Sequence, residues 1–117
     1  MQIEERVVGD AVVVAIEGDI TLKGGDVRVR DKVQSLLQQG HRKLVIDLGG
    51  VSYVDSAGLG QLVHLYATAT NRGGSVKLIR LTRRLRDLLV LTRLTTVFDT
   101  YDTEAEALAA FEGSAKA

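Results

Sequence analysis

The residues most suited by type and spacing to do chemistry are Asp55-Ser56-Ala57-Gly58-Leu59-Gly60. They follow an apolar run at 43–48 and open an amphipathic stretch, which places them at the amino end of a helix. Asp55 suits the N-cap, because its carboxylate can accept from the orphan N–H groups of the first turn. Ser56 then falls in that first turn, near the surface and close to the positive end of the helix dipole. A phosphoryl group on Ser56 would meet free backbone donors there. Gly58 and Gly60 each cost ~1 kcal/mol relative to Ala inside a helix. They leave the first turn without bulky side chains, so another protein's backbone could approach Ser56 closely. A plainer reading also fits: an ordinary Asp-Ser cap, with glycines that let the helix pack on a sheet. On the residues alone both readings stand.

The rest of the chain supplies the elements that must hold this run. Residues 3–8 read as a short strand, Gly9-Asp10 as a turn, and 11–16 as a nearly all-apolar strand covered on both faces. Strands joined by so short a loop are antiparallel. Gly24-Gly25-Asp26 opens a helix whose stripe is Val29, Val33, Leu36 and Leu37, and Gly40 ends it. A strand at 43–48 completes a right-handed parallel crossover. The second helix, from about 57 to 71, is lined by Leu59, Leu62, Val63, Tyr66 and Ala69. A strand at 76–80, a helix at 83–92 with Leu85, Leu88 and Leu89 inward, and a short strand at 97–98 come next. Thr103-x-x-Glu106 has capping-box spacing and introduces a fourth helix carrying Leu108 and Phe111. The order is ββαβαβαβα. It predicts an α/β domain over 1–112, with a mostly parallel four- to five-stranded sheet, an antiparallel amino-terminal edge strand and about four helices. Residues 113–117 are expected to form a frayed tail.

Composition narrows the function classes. With 117 residues the chain fits one domain. Lys+Arg is 15 and Asp+Glu is 15. A net charge of zero argues against generic nucleic-acid binding, which relies on excess positive charge. Cys is 0, so thiolate metal sites and disulfides are ruled out. The start has no basic run followed by an apolar stretch, so no secretory signal is expected, and no segment approaches the ~20 apolar residues of a membrane span. No His/Asp/Glu cluster has metal-ligand spacing, and the glycine pairs lack the Gly-Lys-Ser/Thr of a phosphate-binding loop. Neither a cofactor nor a metal is expected. Arg80, Arg83, Arg84, Arg86 and Arg93 surround the third helix and read first as a solvated face, otherwise as a partner contact. Leu88, Val90 and Leu91 widen that helix's apolar arc, so one edge is available for docking.

Val51-Ser52-Tyr53-Val54-Asp55-Ser56-Ala57-Gly58-Leu59-Gly60 resembles the signature of the STAS-domain anti-sigma factor antagonists. The element order fits that family over nearly the whole chain. The resemblance implies a non-catalytic, cytoplasmic regulator. It implies that Ser56 is phosphorylated by an anti-sigma factor with serine-kinase activity and dephosphorylated by a PP2C-type phosphatase. Asp55 is then its supporting neighbour, and Gly58 and Gly60 match the family's small first-turn positions. Asp19, in Gly18-Asp19-Ile20, matches the acidic residue often found after the second strand. Two positions depart from the pattern: Thr21, where members often carry Asp, and Ala57, where many carry Ser or Thr. Together Asp19, Thr21, Asp55, Ser56, Ala57, Gly58, Leu59 and Gly60 form the expected partner surface.

The residues bear on three other readings. A serine hydrolase needs a histidine beside Ser56. His64 lies eight residues along the same helix, ~12 Å up the axis, and nothing places His41 nearby. A receiver-type aspartyl acceptor would use Asp47, but it wants an acidic pair for Mg²⁺ and a Lys near the far strand end, and 97–99 holds no Lys. Asp47 reads better as a strand-end residue bonding to nearby backbone. The third alternative is a phosphorylation-independent interaction module, in a scaffold or a lipid-transport or transporter assembly, with the Ser56 end still a docking surface.

Overall fold

Alternation along the second strand organises the molecule. Val12, Val14 and Ile16 belong to one apolar cluster, and Ala11 and Val13 to another on the opposite face. A computed structural model describes residues 1–115. Its elements run β1 (Gln2–Val8), β2 (Ala11–Glu17), α1 (Gly25–Gln38), β3 (Lys43–Gly50), α2 (Ser56–Asn71), β4 (Ser75–Ile79), α3 (Arg83–Leu91), β5 (Asp99–Tyr101) and α4 (Glu104–Ala115). The five strands lie in sequence order in one sheet. β1 is antiparallel to β2, and every later neighbour is parallel. The expected ββαβαβαβα architecture is therefore present. Backbone of α4 is described to Ala115, and residues 116 and 117 of the expected tail lie outside the described residues.

The larger cluster lies under α1, α2 and α3, with Val29, Val33, Leu36 and Leu37 of α1 against Leu59, Leu62 and Leu65 of α2 and the sheet. α4 covers the other face, where Ala107 and Phe111 meet Val13, Val45 and Ile79. Three expectations shift. The last strand falls at Asp99–Tyr101 and not at 97–98. Phe98 turns inward and meets Tyr66 edge to face at 5.6 Å, so its apolar character marks core, not strand. In α2 the fully covered stripe is Leu59, Leu62, Leu65 and Ala69, while Val63 and Tyr66 are only half-buried on its flank. In α3 Leu85 and Leu89 are buried, and Leu88 is half-buried.

The capping box is formed. The Thr103 hydroxyl accepts from the Glu106 N–H at 3.2 Å, and Glu106 Oε1 accepts from the Thr103 N–H at 3.1 Å. Thr103→Ala should cost about 1 kcal/mol in urea unfolding, because it orphans one donor at the start of α4.

Candidate functional site

Pairing between β2 and β3 does not stop at the strand ends. After a register shift near Glu17, the Gly18 N–H donates to the Gly50 carbonyl and the Ile20 N–H to the Tyr53 carbonyl, both at 3.0 Å. The Asp55 N–H then returns to the Ile20 carbonyl at 3.3 Å, and Ile20 and Val54 form a parallel bridge with both side chains buried. The two loops thus run side by side beyond the carboxyl ends of the strands, where open α/β sheets bind their ligands.

Asp55 locks this frame. Its Oδ1 accepts from the Gly58 N–H at 2.8 Å and caps α2, as expected. Its Oδ2 accepts from the Leu22 N–H at 3.0 Å, across 33 positions of sequence. Those N–H donors, Leu22's first and then Gly58's, hold the Asp55 carboxyl below the ordinary aspartate range. A depressed native pKa stabilises the fold fully above the ordinary value of 3.8, and that stability is lost as pH falls through the lower native value. Wild type should therefore exceed Asp55→Asn in stability at neutral pH, and the gap should close below about pH 3.8, in urea unfolding repeated across pH. A gap independent of pH would contradict the clamp.

Ser56 is exposed at the first position of α2, and its hydroxyl makes no hydrogen bond to another described residue. Asp19 and Gly60 are also exposed, and Thr21, Asp55 and Ala57 are half-buried. Two expected contact residues face inward. Leu59 is a core side chain. Gly58 is buried, and a Cβ there would sit 2.7 Å from the Ile20 carbonyl carbon and nearer still to its oxygen. Gly58 therefore admits the chain's own 18–22 loop, not a partner's backbone. A Cβ at Gly60 would meet open space, so only that glycine keeps the surface bare. The expectation of free donors for a phosphate also narrows. Asp55 already occupies the Gly58 N–H, and the Leu59 N–H bonds to the Asp55 carbonyl at 2.9 Å.

Two exposed apolar residues lie in the loops that Asp55 ties together and escape the pattern of the sequence. Leu22 is 76% exposed and Tyr53 is 47% exposed. Tyr53 also lines an apolar cavity of about 250 Å³ between the 51–54 loop and α3, with Val54, Leu85, Leu88 and Leu91 in its wall. Leu91 of that wall and the adjacent Val90 are exposed on α3. The signal for Leu22 was an apolar residue isolated in a polar turn. All five arginines around α3 are exposed, as a solvated face requires. Arg86 pairs with Asp102 at 2.8 Å and Arg80 lies 3.7 Å from Asp47.

Other chemistry finds no support here. His64 is exposed on α2 two turns beyond Ser56, and His41 is half-buried past the end of α1. Asp47 accepts from the Gly49 N–H at 2.9 Å, the strand-end role expected of it. Among the described residues no group of three His, Cys, Asp or Glu side chains could hold a metal ion. No helix among them is long and apolar enough to cross a membrane.

The family profile described as Mlab, STAS domain, matches residues 3–99. The chain belongs to the STAS-domain, anti-sigma factor antagonist family. This STAS domain is 40% identical over 86 residues to the anti-sigma-B factor antagonist of Bacillus subtilis (strain 168), covering 74% of this chain and 77% of that one. Among solved structures it resembles the Thermotoga maritima protein TM1081, with a TM-score of 0.85 and 24% identity over 92% of each chain. An anti-sigma factor antagonist from Mycobacterium paratuberculosis has a TM-score of 0.82 and 24% identity, covering 93% of this chain and 92% of that one. The anti-sigma factor antagonist SpoIIAA in its unphosphorylated form has a TM-score of 0.72 and 19% identity, covering 96% and 99%. The family is non-catalytic, and its members' role implies an anti-sigma factor as partner.

Proposed function

We propose that this STAS domain binds an anti-sigma factor while Ser56 is bare and lets it go when that factor, acting as a serine kinase, phosphorylates Ser56. A PP2C-type phosphatase resets the switch, and the cycle runs in the cytoplasm. The observation that carries this reading is the exposed Ser56 hydroxyl at the head of α2, directly after Asp55, whose carboxylate ties α2 to the loop that carries exposed Leu22. An acceptor serine needs no base of its own, since the kinase brings nucleotide, metal and base. It needs room, and the open space at Gly60 supplies some. SpoIIAA, a structural relative, has been solved in a phosphorylated form as well.

Phosphorylation adds ≈ −1.5 to −2 charge. It would stand beside the ionised Asp55, whose carboxylate stays tied to Leu22 and Gly58. The fold has no reason to rearrange, and the new charge acts on whatever docks over Leu22 and Tyr53. A partner seated there must desolvate or repel a dianion. Incubation with the anti-sigma factor and ATP, read by intact mass and fragment mapping, tests the acceptor. One phosphoryl group at Ser56 is expected; one on the neighbouring exposed Ser52, or none, contradicts the reading.

A second reading, a phosphorylation-independent interaction module, is favoured by the apolar cavity beside Tyr53, which could seat a partner side chain whatever the state of Ser56. Under it, partner affinity would be the same for bare and phosphorylated protein.

A further inference from the structure

The edge of the sheet opposite β5 carries a pattern the switch does not use. β1 pairs along its whole length with β2, from Gln2↔Glu17 to Val8↔Ala11, and its other edge faces outward. The strands are joined by Gly9-Asp10 alone, with Gly9 at φ 61. A two-residue turn of that kind makes Val8 and Ala11 the closing hydrogen-bonded pair. Val8, Arg6, Glu4 and Gln2 therefore spend their backbone groups on β2. Val7, Glu5 and Ile3 turn theirs outward, as an unfilled ladder.

We propose that β1 pairs antiparallel with β1 of a second copy of this chain, about a twofold axis at Glu5, joining two sheets into one. In that register Glu5 lies opposite Glu5, Ile3 opposite Val7, and Glu4 opposite Arg6. The outward-facing residues are those that must bond: a twofold centred on Glu5 matches Ile3 and Val7 as further hydrogen-bonded pairs. Side-chain chemistry matches as well. On the α4 face, Glu4 meets the second copy's Arg6, a residue that already forks onto Glu104 within its own chain. On the α1 face, Val7 is 63% exposed. Pairing carries it to the second copy's Ile3. That residue lines a groove of about 390 Å³ with Arg28, Asp31, Lys32 and Ser35. The like-charge contact at the axis is moderated, because each Glu5 is held by Lys32 at 2.8 Å. Exposed charges on an edge strand commonly block such pairing. Here their order along Glu4-Glu5-Arg6 makes the edge complementary to itself.

Sedimentation velocity from about 1 µM to about 1 mM spans the range of weak association. Wild type is expected to pass from monomer to dimer across it. Val7→Pro removes an N–H that β2 does not use, so it should keep the fold by circular dichroism and stay monomeric throughout. Glu4→Arg sets Arg against Arg and should lower the dimer association constant at least tenfold, and Glu4→Arg with Arg6→Glu should recover most of it. Monomeric wild type at about 1 mM would overturn the proposal. So would dimerisation unchanged in both single variants, or a double variant no better than Glu4→Arg.

Discussion

Ser56→Glu should bind the anti-sigma factor at least about a hundredfold more weakly than wild type, while Ser56→Ala should bind as well as wild type and accept no phosphoryl group. A hundredfold is about 2.7 kcal/mol. That is within reach of one uncompensated charge at a desolvated contact. The expected loss is large because of where Ser56 sits. It is exposed, it heads α2, and the loops that Asp55 ties together present Leu22 and Tyr53 as exposed apolar surface. The helix end cannot absorb the charge fully, since Asp55 already takes the Gly58 N–H. Calorimetric titration of the three proteins against the anti-sigma factor reads the outcome. Equal affinities would favour the phosphorylation-independent module.

Gly58→Ala should be the most damaging single methyl in the chain, and Gly60→Ala should be harmless or helpful. At Gly58 the added carbon meets the backbone carbonyl of Ile20, which cannot swing aside like a side chain. Relief requires parting the 18–22 loop from α2, and with it the bonds that the Ile20 N–H makes to Tyr53, the Asp55 N–H to Ile20 and the Leu22 N–H to Asp55. Overpacking against fixed backbone costs up to about 3 kcal/mol or more. At Gly60 the methyl enters open space within a helix, and replacing Gly by Ala there gains up to ~1 kcal/mol. Urea unfolding of the two variants side by side separates them. The same pair bears on function, because Gly58→Ala should also weaken partner binding through the displaced loop. Equal stability of both variants would mean that Gly58 does not hold the loops together.

Much of this was readable before any coordinates. The β-branched run at 11–16, the Gly9-Asp10 turn and the helical stripe from Val29 to Leu37 follow local rules of period and turn chemistry, and all were found in place. Asp55 as cap and Thr103-x-x-Glu106 as capping box follow from side-chain reach of three residues. What escaped was non-local. The Leu22 N–H on Asp55 joins residues 33 apart, and no periodicity encodes that approach. At Gly58 the residue types admit both a partner's backbone and close packing within the molecule, and only the approach of Ile20 of the same chain decides for the second. Val97-Phe98 reads as a strand because apolar β-formers suit both a strand and a core plug, and only the position of Tyr66 decides between them. The fold and the Asp55 cap are therefore legible from short-range pattern, and the joining of the two loops from tertiary contact.

The most direct measurement compares one preparation before and after stoichiometric phosphorylation at Ser56, titrated against the same anti-sigma factor. The account predicts tight binding by the bare protein, a loss of about two orders of magnitude on modification, and recovery after treatment with a PP2C-type phosphatase. Undiminished binding by the phosphorylated protein, with its circular dichroism unchanged, would contradict it.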